Sequence, residues 1–225
     1  MRTAGLIIAI DGPSGAGKGT VARTIAERLG YRHVDTGAMY RAVAWKARHD
    51  GHDLADAHAV AAVGRVATFA LDHGRVVIDG HDVTRAIRTP EMDAAASIVA
   101  RHPDVRAALV ERQRAFGAGG GVVMEGRDIG SVVFPDADVK IYLDAAPEER
   151  ARRRSQDAAH AAGAGSGSDG VAEAMRTRDR SDSTRSVSPL VQVKDAEYLD
   201  TTHMSIPAVI DRVMAIVDTA RTRRA

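Results

Sequence analysis

Residues 12–20 read Gly-Pro-Ser-Gly-Ala-Gly-Lys-Gly-Thr, and their types and spacing suit a polyphosphate ligand. Gly12, Gly15 and Gly17 let successive backbone N–H groups turn inward around an anion without Cβ clashes. Lys18 brings a point charge that can reach the β- and γ-phosphates of a nucleotide. Pro13, Ser14, Ala16, Gly19 and Thr20 complete the cradle. The strict Gly-x4-Gly-Lys motif places Ser or Thr directly after the lysine, where it holds Mg²⁺. Here that position is Gly19, and the hydroxyl comes one residue later at Thr20. Mg²⁺ is then expected to sit mainly on phosphates and water, which suits an ion that dehydrates reluctantly. No set of protein metal ligands is read from the sequence.

Such a cradle works only between a strand and a helix. Leu6-Ile7-Ile8-Ala9-Ile10 reads as a fully buried strand, and Val21, Ala22, Ile25, Ala26 and Leu29 repeat at helical spacing from Lys18 onward. The helix N-terminus adds the positive end of its dipole to the phosphate site. Strand, glycine turn and helix together make a P-loop.

Further along, 31–35 reads as a short strand, and Thr36-Gly37 opens a helix carrying Met39, Tyr40, Val43, Ala44 and Trp45. Residues 53–67 are alanine-rich and expected to be helical. The runs 66–71 and 75–79, separated by Asp72-His73-Gly74, signal a hairpin, with a third short strand at 82–84. Pro90 and Pro103 open helices near 91–100 and 104–116. Buried strands are expected at 121–125 and 139–143, a further short strand at 198–200 and a closing helix from about 205. Strands alternating with helices imply a parallel sheet. An arginine-rich helix from Pro147 runs into Ala/Gly/Ser-rich chain at 161–168, read as a flexible loop, and a helix follows around 171–182.

Composition excludes several function classes. Thirty-one Lys and Arg against thirty Asp and Glu give a net charge of +1, so no global field steers the protein to DNA or a membrane surface. Aromatic residues make up 4% of the chain, too few for a base-stacking platform. Cysteine is absent, which removes disulfides and thiolate metal sites and fits the cytosol. The apolar run near the N-terminus ends at Asp11 after five residues, so neither a signal peptide nor a membrane span is expected.

An anionic substrate must therefore meet local cations. Arginine sits beside carboxylate or hydroxyl in four further stretches: residues 35–41, Arg101 with Arg106, Gly126-Arg127-Asp128, and 178–185. Each alone could be a surface ion pair. Behind a P-loop they favour a second phosphate site, since arginine grips phosphate with two parallel donors. Glu125, at a strand end, is read either as a carboxylate orienting water on Mg²⁺ or as a structural hydrogen bond to the P-loop. His49, His52 and His58 lack the ordered carboxylate partner of a metal cluster. An Asn-Lys-x-Asp guanine motif is absent, as is a hydroxyl-activating His-Arg-Asp motif.

Taken together, the sequence resembles the bacterial cytidylate kinases. The resemblance rests on Ile10 through Thr20, Asp35-Thr36-Gly37-Ala38-Met39-Tyr40-Arg41, Ile87-Arg88-Thr89, Arg112-Gln113-Arg114, Gly126-Arg127-Asp128-Ile129-Gly130, Val133-Phe134-Pro135-Asp136-Ala137, and Arg178-Asp179 through Pro189-Leu190. These motifs span about residues 6–215 in the family's order. Glu125 departs from the family's usual Asp, and the loop at 158–170 is unusually rich in Ala, Gly and Ser.

The resemblance implies a single α/β domain over 1–225, a three-layer parallel sheet flanked by helices. Its core would take about 1–36, 103–150 and 184–225. An insertion at about 37–102, carrying a small antiparallel sheet, would bind the nucleoside monophosphate, and a helical lid would span 151–183. It implies phosphoryl transfer from ATP, with Mg²⁺, to CMP or dCMP in a cytoplasmic monomer that needs neither nucleic acid nor membrane. Thr36, Arg41 and Arg127 match positions that hold the acceptor phosphate. Ser97, Arg106 and Asp128 match those that read cytosine, Arg178 and Asp182 those near the sugar, and Arg185 one near the phosphates. Lys18, Arg127 and Arg185 are the expected catalytic cations, and Arg153 and Arg154 are expected at ATP. Independently, Asp128 can accept from a cytosine N4 amino group while Arg106 and Ser97 donate to O2 or N3.

Overall fold

The structure, a computed structural model, describes residues 5–72, 74–156 and 168–224. The turn residue His73 and most of the Ala/Gly/Ser-rich loop, 157–167, lie outside the described residues.

Five parallel strands form the central sheet in the order β2 (Arg32–Asp35), β6 (Val122–Gly126), β1 (Ile7–Asp11), β7 (Val139–Asp144) and β8 (Glu197–Asp200). Side-chain alternation along β1 sorts the core into two layers. Ile8 and Ile10 pack with Val21, Ile25, Val213 and Val217 of α1 (Lys18–Leu29) and the last helix, α8 (Ile206–Arg224). Ala9 faces the other way, into a cluster with Met39, Val43, Val60, Val99 and Leu109. That second layer is built by α2 (Thr36–His49), α3 (Ala57–Val66), α4 (Pro90–Val99) and α5 (Pro103–Gly117). Deleting one such buried side chain, as in Ile10→Ala, typically costs about 2–5 kcal/mol.

Between α3 and α4 stands a separate antiparallel sheet of β3 (Phe69–Asp72), β4 (Arg75–Ile78) and β5 (His81–Asp82), with Phe69 paired to Ile78 and Asp72 to Arg75. The start of α3 and its junction with β3 differ from the sequence reading. The Asp56 carboxylate accepts from the His58 and Ala59 N–H groups, so α3 starts at Ala57, not at 53. The helix then runs through Val66, and the strand begins only at Phe69.

Two helices cover the carboxyl ends of the strands: α6 (Pro147–Ser155) and α7 (Ser168–Thr184), the latter longer at both ends than expected. One element had no sequence signal: a π-helical turn, Ile129–Val133, directly after β6. Strand ends in register place Asp11 beside Gly126 and Asp35 beside Glu125. All the functional side chains considered below gather at this edge, where ligands bind in open parallel sheets.

Candidate active site

The P-loop needs its first glycine for space as well as conformation. Gly12 has φ 146°, and a Cβ there would fall 1.9 Å from the Leu143 carbonyl oxygen of β7. Lys18 opens α1 and is buried, with Nζ donating to the Pro13 carbonyl at 2.7 Å. Its side chain curls back over its own loop and does not extend into solvent. Burial, reinforced by the nearby Arg127 charge, lowers its pKa from 10.5 to about 7.

That shift has a sign. Between pH 7 and 10 the unfolded chain keeps a proton on Lys18 that the folded chain has shed, so stability rises with pH across this window. Below pH 7 the whole cost of burying the charge is present. Lys18→Met is therefore expected to melt higher than the parent at pH 7, by about 5 °C. The gain should shrink as pH approaches 10. Thermal melts of the two proteins in the absence of nucleotide check this.

Asp11, at the end of β1, accepts from the Ile129 and Gly130 N–H groups at 2.8 and 2.7 Å. It thereby pins the start of the π-helical turn and fixes where Arg127 and Asp128 point. Burial raises the Asp11 pKa to about 6, which leaves it ionised at neutral pH.

The two neighbours go separate ways. Arg127 Nε donates to Asp182 of α7 at 2.9 Å, and Asp128 accepts from Arg106 Nη2 at 2.5 Å. The sequence reading had Arg127 as the cation beside Asp128; the cations that face Asp128 are Arg106 and, at 3.8 Å, Arg185. Arg106 is 2% exposed, lies over the Tyr40 ring at 5.3 Å and also donates to the Ala100 carbonyl. Burial alone would raise the Asp182 pKa, yet Arg127, Arg178 and Arg185 hold it below the ordinary carboxylate range.

Two cavities receive these side chains. The larger, about 730 Å³, is lined by residues 14–20, Arg41, Glu125, Arg127, Arg153, Arg154 and Arg178. The smaller, about 40 Å³, is lined by Thr36, Ser97, Arg106, Asp128, Asp182 and Arg185, with Arg127 and Arg178 again in its wall. Arg127 and Arg178 thus face both. As it stands the smaller pocket has room for only a few waters, so a flat ring enters only if α4 or Arg185 gives way.

Thr36 is buried and its hydroxyl donates to the Glu125 carbonyl at 2.7 Å, while Ser97 Oγ donates to the Asp93 carbonyl at 3.0 Å. Arg41 pairs with Asp35, the N-cap of α2, at 3.1 Å. On α6, Arg152 and Arg153 both pair with Glu149, Arg153 Nη2 also donates to the Thr201 carbonyl, and Arg154 binds Asp93; all three arginines line the larger cavity. Gly12 and Pro13 form the back of the loop and do not line either cavity.

Sequence reasoning missed three carboxylate or imidazole partners. Asp179 of α7 accepts from the P-loop Ser14 N–H at 3.1 Å and binds Arg150, whose Nη1 also donates to the Ser14 carbonyl. His33 Nε2 lies 2.9 Å from Glu125 Oε1. A Cβ on Gly19 would come 3.3 Å from the same oxygen, so the carboxylate abuts the start of α1. Asp93 is the third. Its only sequence signal was its place one helical turn before Ser97.

The cytidylate kinase family profile matches residues 8–219. A cytidylate kinase from Pelotomaculum thermopropionicum is 50% identical over 219 residues, 95% of this chain and 96% of that protein. One from Solibacter usitatus is 49% identical over 94% of this chain and 92% of that protein. Among solved structures, shikimate kinase from Bacteroides thetaiotaomicron aligns over 95% of this chain and 98% of its own with a TM-score of 0.52. At 10% identity that likeness speaks to the P-loop kinase fold alone. With a near full-length match on top of a P-loop and an arginine-lined second pocket, the chain belongs to the cytidylate kinase family.

Proposed function

We propose that the protein is a (d)CMP kinase: it transfers the γ-phosphoryl group of ATP to CMP or dCMP, giving ADP and CDP or dCDP. The carrying observation is the pair of cavities that share Arg127 and Arg178, one floored by the P-loop and the other holding the Asp128 carboxylate. The triphosphate lies in the larger, the acceptor nucleotide in the smaller, and the two meet between the shared arginines. Residues 37–102 act as the acceptor-binding insertion and 151–183 as the lid.

An oxygen of the acceptor phosphate attacks the γ-phosphorus. That P–O bond forms as the bond to the β-phosphate bridging oxygen breaks, and ADP leaves with the electron pair. The nucleophile is already an anion, so no residue has to remove a proton. What remains is positioning and charge stabilisation. Lys18 serves the β- and γ-phosphates, Arg41 and Arg127 the acceptor phosphate, and Arg153 and Arg154 approach from the lid side. Arg185 supports the phosphates from within the smaller pocket. Arg178 and Asp182, one helical turn apart, face the sugar, with Arg127 holding the carboxylate. Ser97, Arg106 and Asp128 read the base.

No three His, Cys, Asp or Glu side chains converge as a metal-ligand set among the described residues. The oxygens that line the larger cavity at Thr20 and Glu125 nevertheless suit Mg²⁺ carried in on the phosphates, Glu125 through water. When bound, Mg²⁺ neutralises charge across the β- and γ-phosphoryl oxygens. Among the described residues no helix is long and apolar enough to cross a membrane.

The test is ADP release with ATP and a panel of CMP, dCMP, UMP, dTMP and shikimate. CMP and dCMP should give the highest kcat/KM. A preference for UMP or shikimate would overturn the assignment.

A further inference from the structure

Asp93 lies on α4, and its carboxylate faces three guanidinium groups from three different helices. Arg41 Nη1 of α2 is 3.6 Å away, Arg178 Nη1 of α7 is 3.1 Å away, and Arg154 of α6 hydrogen-bonds to it. The backbone carbonyl of the same residue takes the Ser97 hydroxyl proton. All three arginines line the larger cavity, and Arg178 lines the smaller one too. Asp93 lines neither. The carboxylate therefore stands behind the row of cations and leaves the cavity space in front of them free.

Three guanidinium groups brought this close repel one another, and burial weakens the screening that water would give. Burial works against the charged form of Arg178, and Asp93 is the leading influence that opposes it. An anion behind the row removes much of the repulsion and gives each planar fork a fixed partner, which sets the direction of its remaining donors.

We propose that Asp93 is a positioning residue for phosphoryl transfer. It holds Arg41, Arg154 and Arg178 in register toward the cavity, and so fastens α6 and α7 to the helix that carries Ser97. One turn of α4 then links contact with the base to the grip on phosphate. The kinetic part of this inference rests on the kinase function above; the mechanical part does not.

Asp93→Asn keeps the shape and removes the charge. Its kcat for ATP plus CMP should fall about 10- to 100-fold, with the melting temperature within about 3 °C of the parent. Asp93→Glu, which keeps the charge on a longer arm, should recover part of that loss. In an Arg154→Gln background, where one of the three arginines Asp93 holds is already gone, Asp93→Asn should lower kcat by a smaller factor than in the parent. Fully multiplicative losses, or losses that track the melting temperature, would assign Asp93 a structural role only and overturn the proposal. Unchanged kcat in Asp93→Asn would do the same.

A second measurement needs no turnover. Hydrogen exchange in the absence of nucleotide should speed up in 147–155 and 168–184 of Asp93→Asn and stay unchanged in α5. Equal exchange in parent and variant would overturn the fastening of α6 and α7. If the parent itself fails to phosphorylate CMP, the kinase reading falls, while exchange still decides the mechanical part. Asp93→Ser replaces Asp93→Asn should the latter not fold.

Discussion

Lys18→Met is expected to lower turnover by about three powers of ten or more at saturating ATP and CMP, in a protein that remains folded. Without nucleotide the buried Lys18 amine titrates at about 7, and the phosphate anions of bound ATP draw it back to the ammonium form; at the floor of the larger cavity that charge acts on phosphoryl oxygens with little screening. Charge spreads over the equatorial oxygens as the phosphoryl group moves, so a cation that follows it stabilises the transition state more than the ground state. The methionine fills the same channel and cannot supply that charge. Lys18→Arg should rescue poorly, because a planar fork does not fit a channel in which Nζ sits 2.7 Å from the Pro13 carbonyl. The kinetic pattern decides the role. A drop in kcat marks transition-state stabilisation, whereas a rise in the ATP KM with kcat intact marks ground-state binding only. Near-normal turnover would remove Lys18 from the mechanism. The same variant should melt higher than the parent at pH 7, so a loss of activity cannot be ascribed to unfolding.

The parts of this site legible in the sequence are those made within one short stretch. The P-loop declares itself because strand, turn and helix start are contiguous over residues 6–20. The strands β1, β6 and β7 read as apolar runs because both of their faces are covered. The α3–β3 boundary was misplaced because Val66-Ala67-Thr68-Phe69 looks β-like locally, while the Asp56 cap and the helix it starts carry through Val66. Pairings across the fold left no local trace. Arg127 and Asp128 are neighbours in sequence and look like partners, but successive residues leaving a strand project to opposite sides. One therefore finds Asp182, fifty-five residues away, and the other finds Arg106. The carboxylates behind the arginines, Asp93 and Asp179, were invisible for the same reason. A charge on a helix face looks solvated until the fold supplies its partner.

Those pairings sharpen the expectation for the base. CMP offers an N4 amino donor where UMP offers a carbonyl oxygen, so the Asp128 carboxylate accepts from the first and meets a lone pair in the second. Sites built on a buried polar contact reject the mismatched analogue by roughly 10⁴-fold or more, and the parent protein should show a preference for CMP over UMP of that order in kcat/KM. Asp128→Ala is a poor probe, since it leaves the Arg106 guanidinium, 2% exposed, without its carboxylate. Breaking a buried pair this way typically costs about 3–5 kcal/mol of stability. Asp128→Asn keeps the volume and an oxygen for Arg106, and its amide can turn either an acceptor or a donor toward the base. The ratio should therefore narrow by about one to two powers of ten, on the order of 1–3 kcal/mol. Arg127 bonds to Asp182 and not to Asp128, so the grip on the acceptor phosphate should survive the substitution. A general fall in activity would leave the ratio unchanged, and the ratio is for that reason the quantity to measure, in a variant whose melting curve matches the parent's. An unaltered ratio would move the reading of cytosine to Arg106 and Ser97 alone.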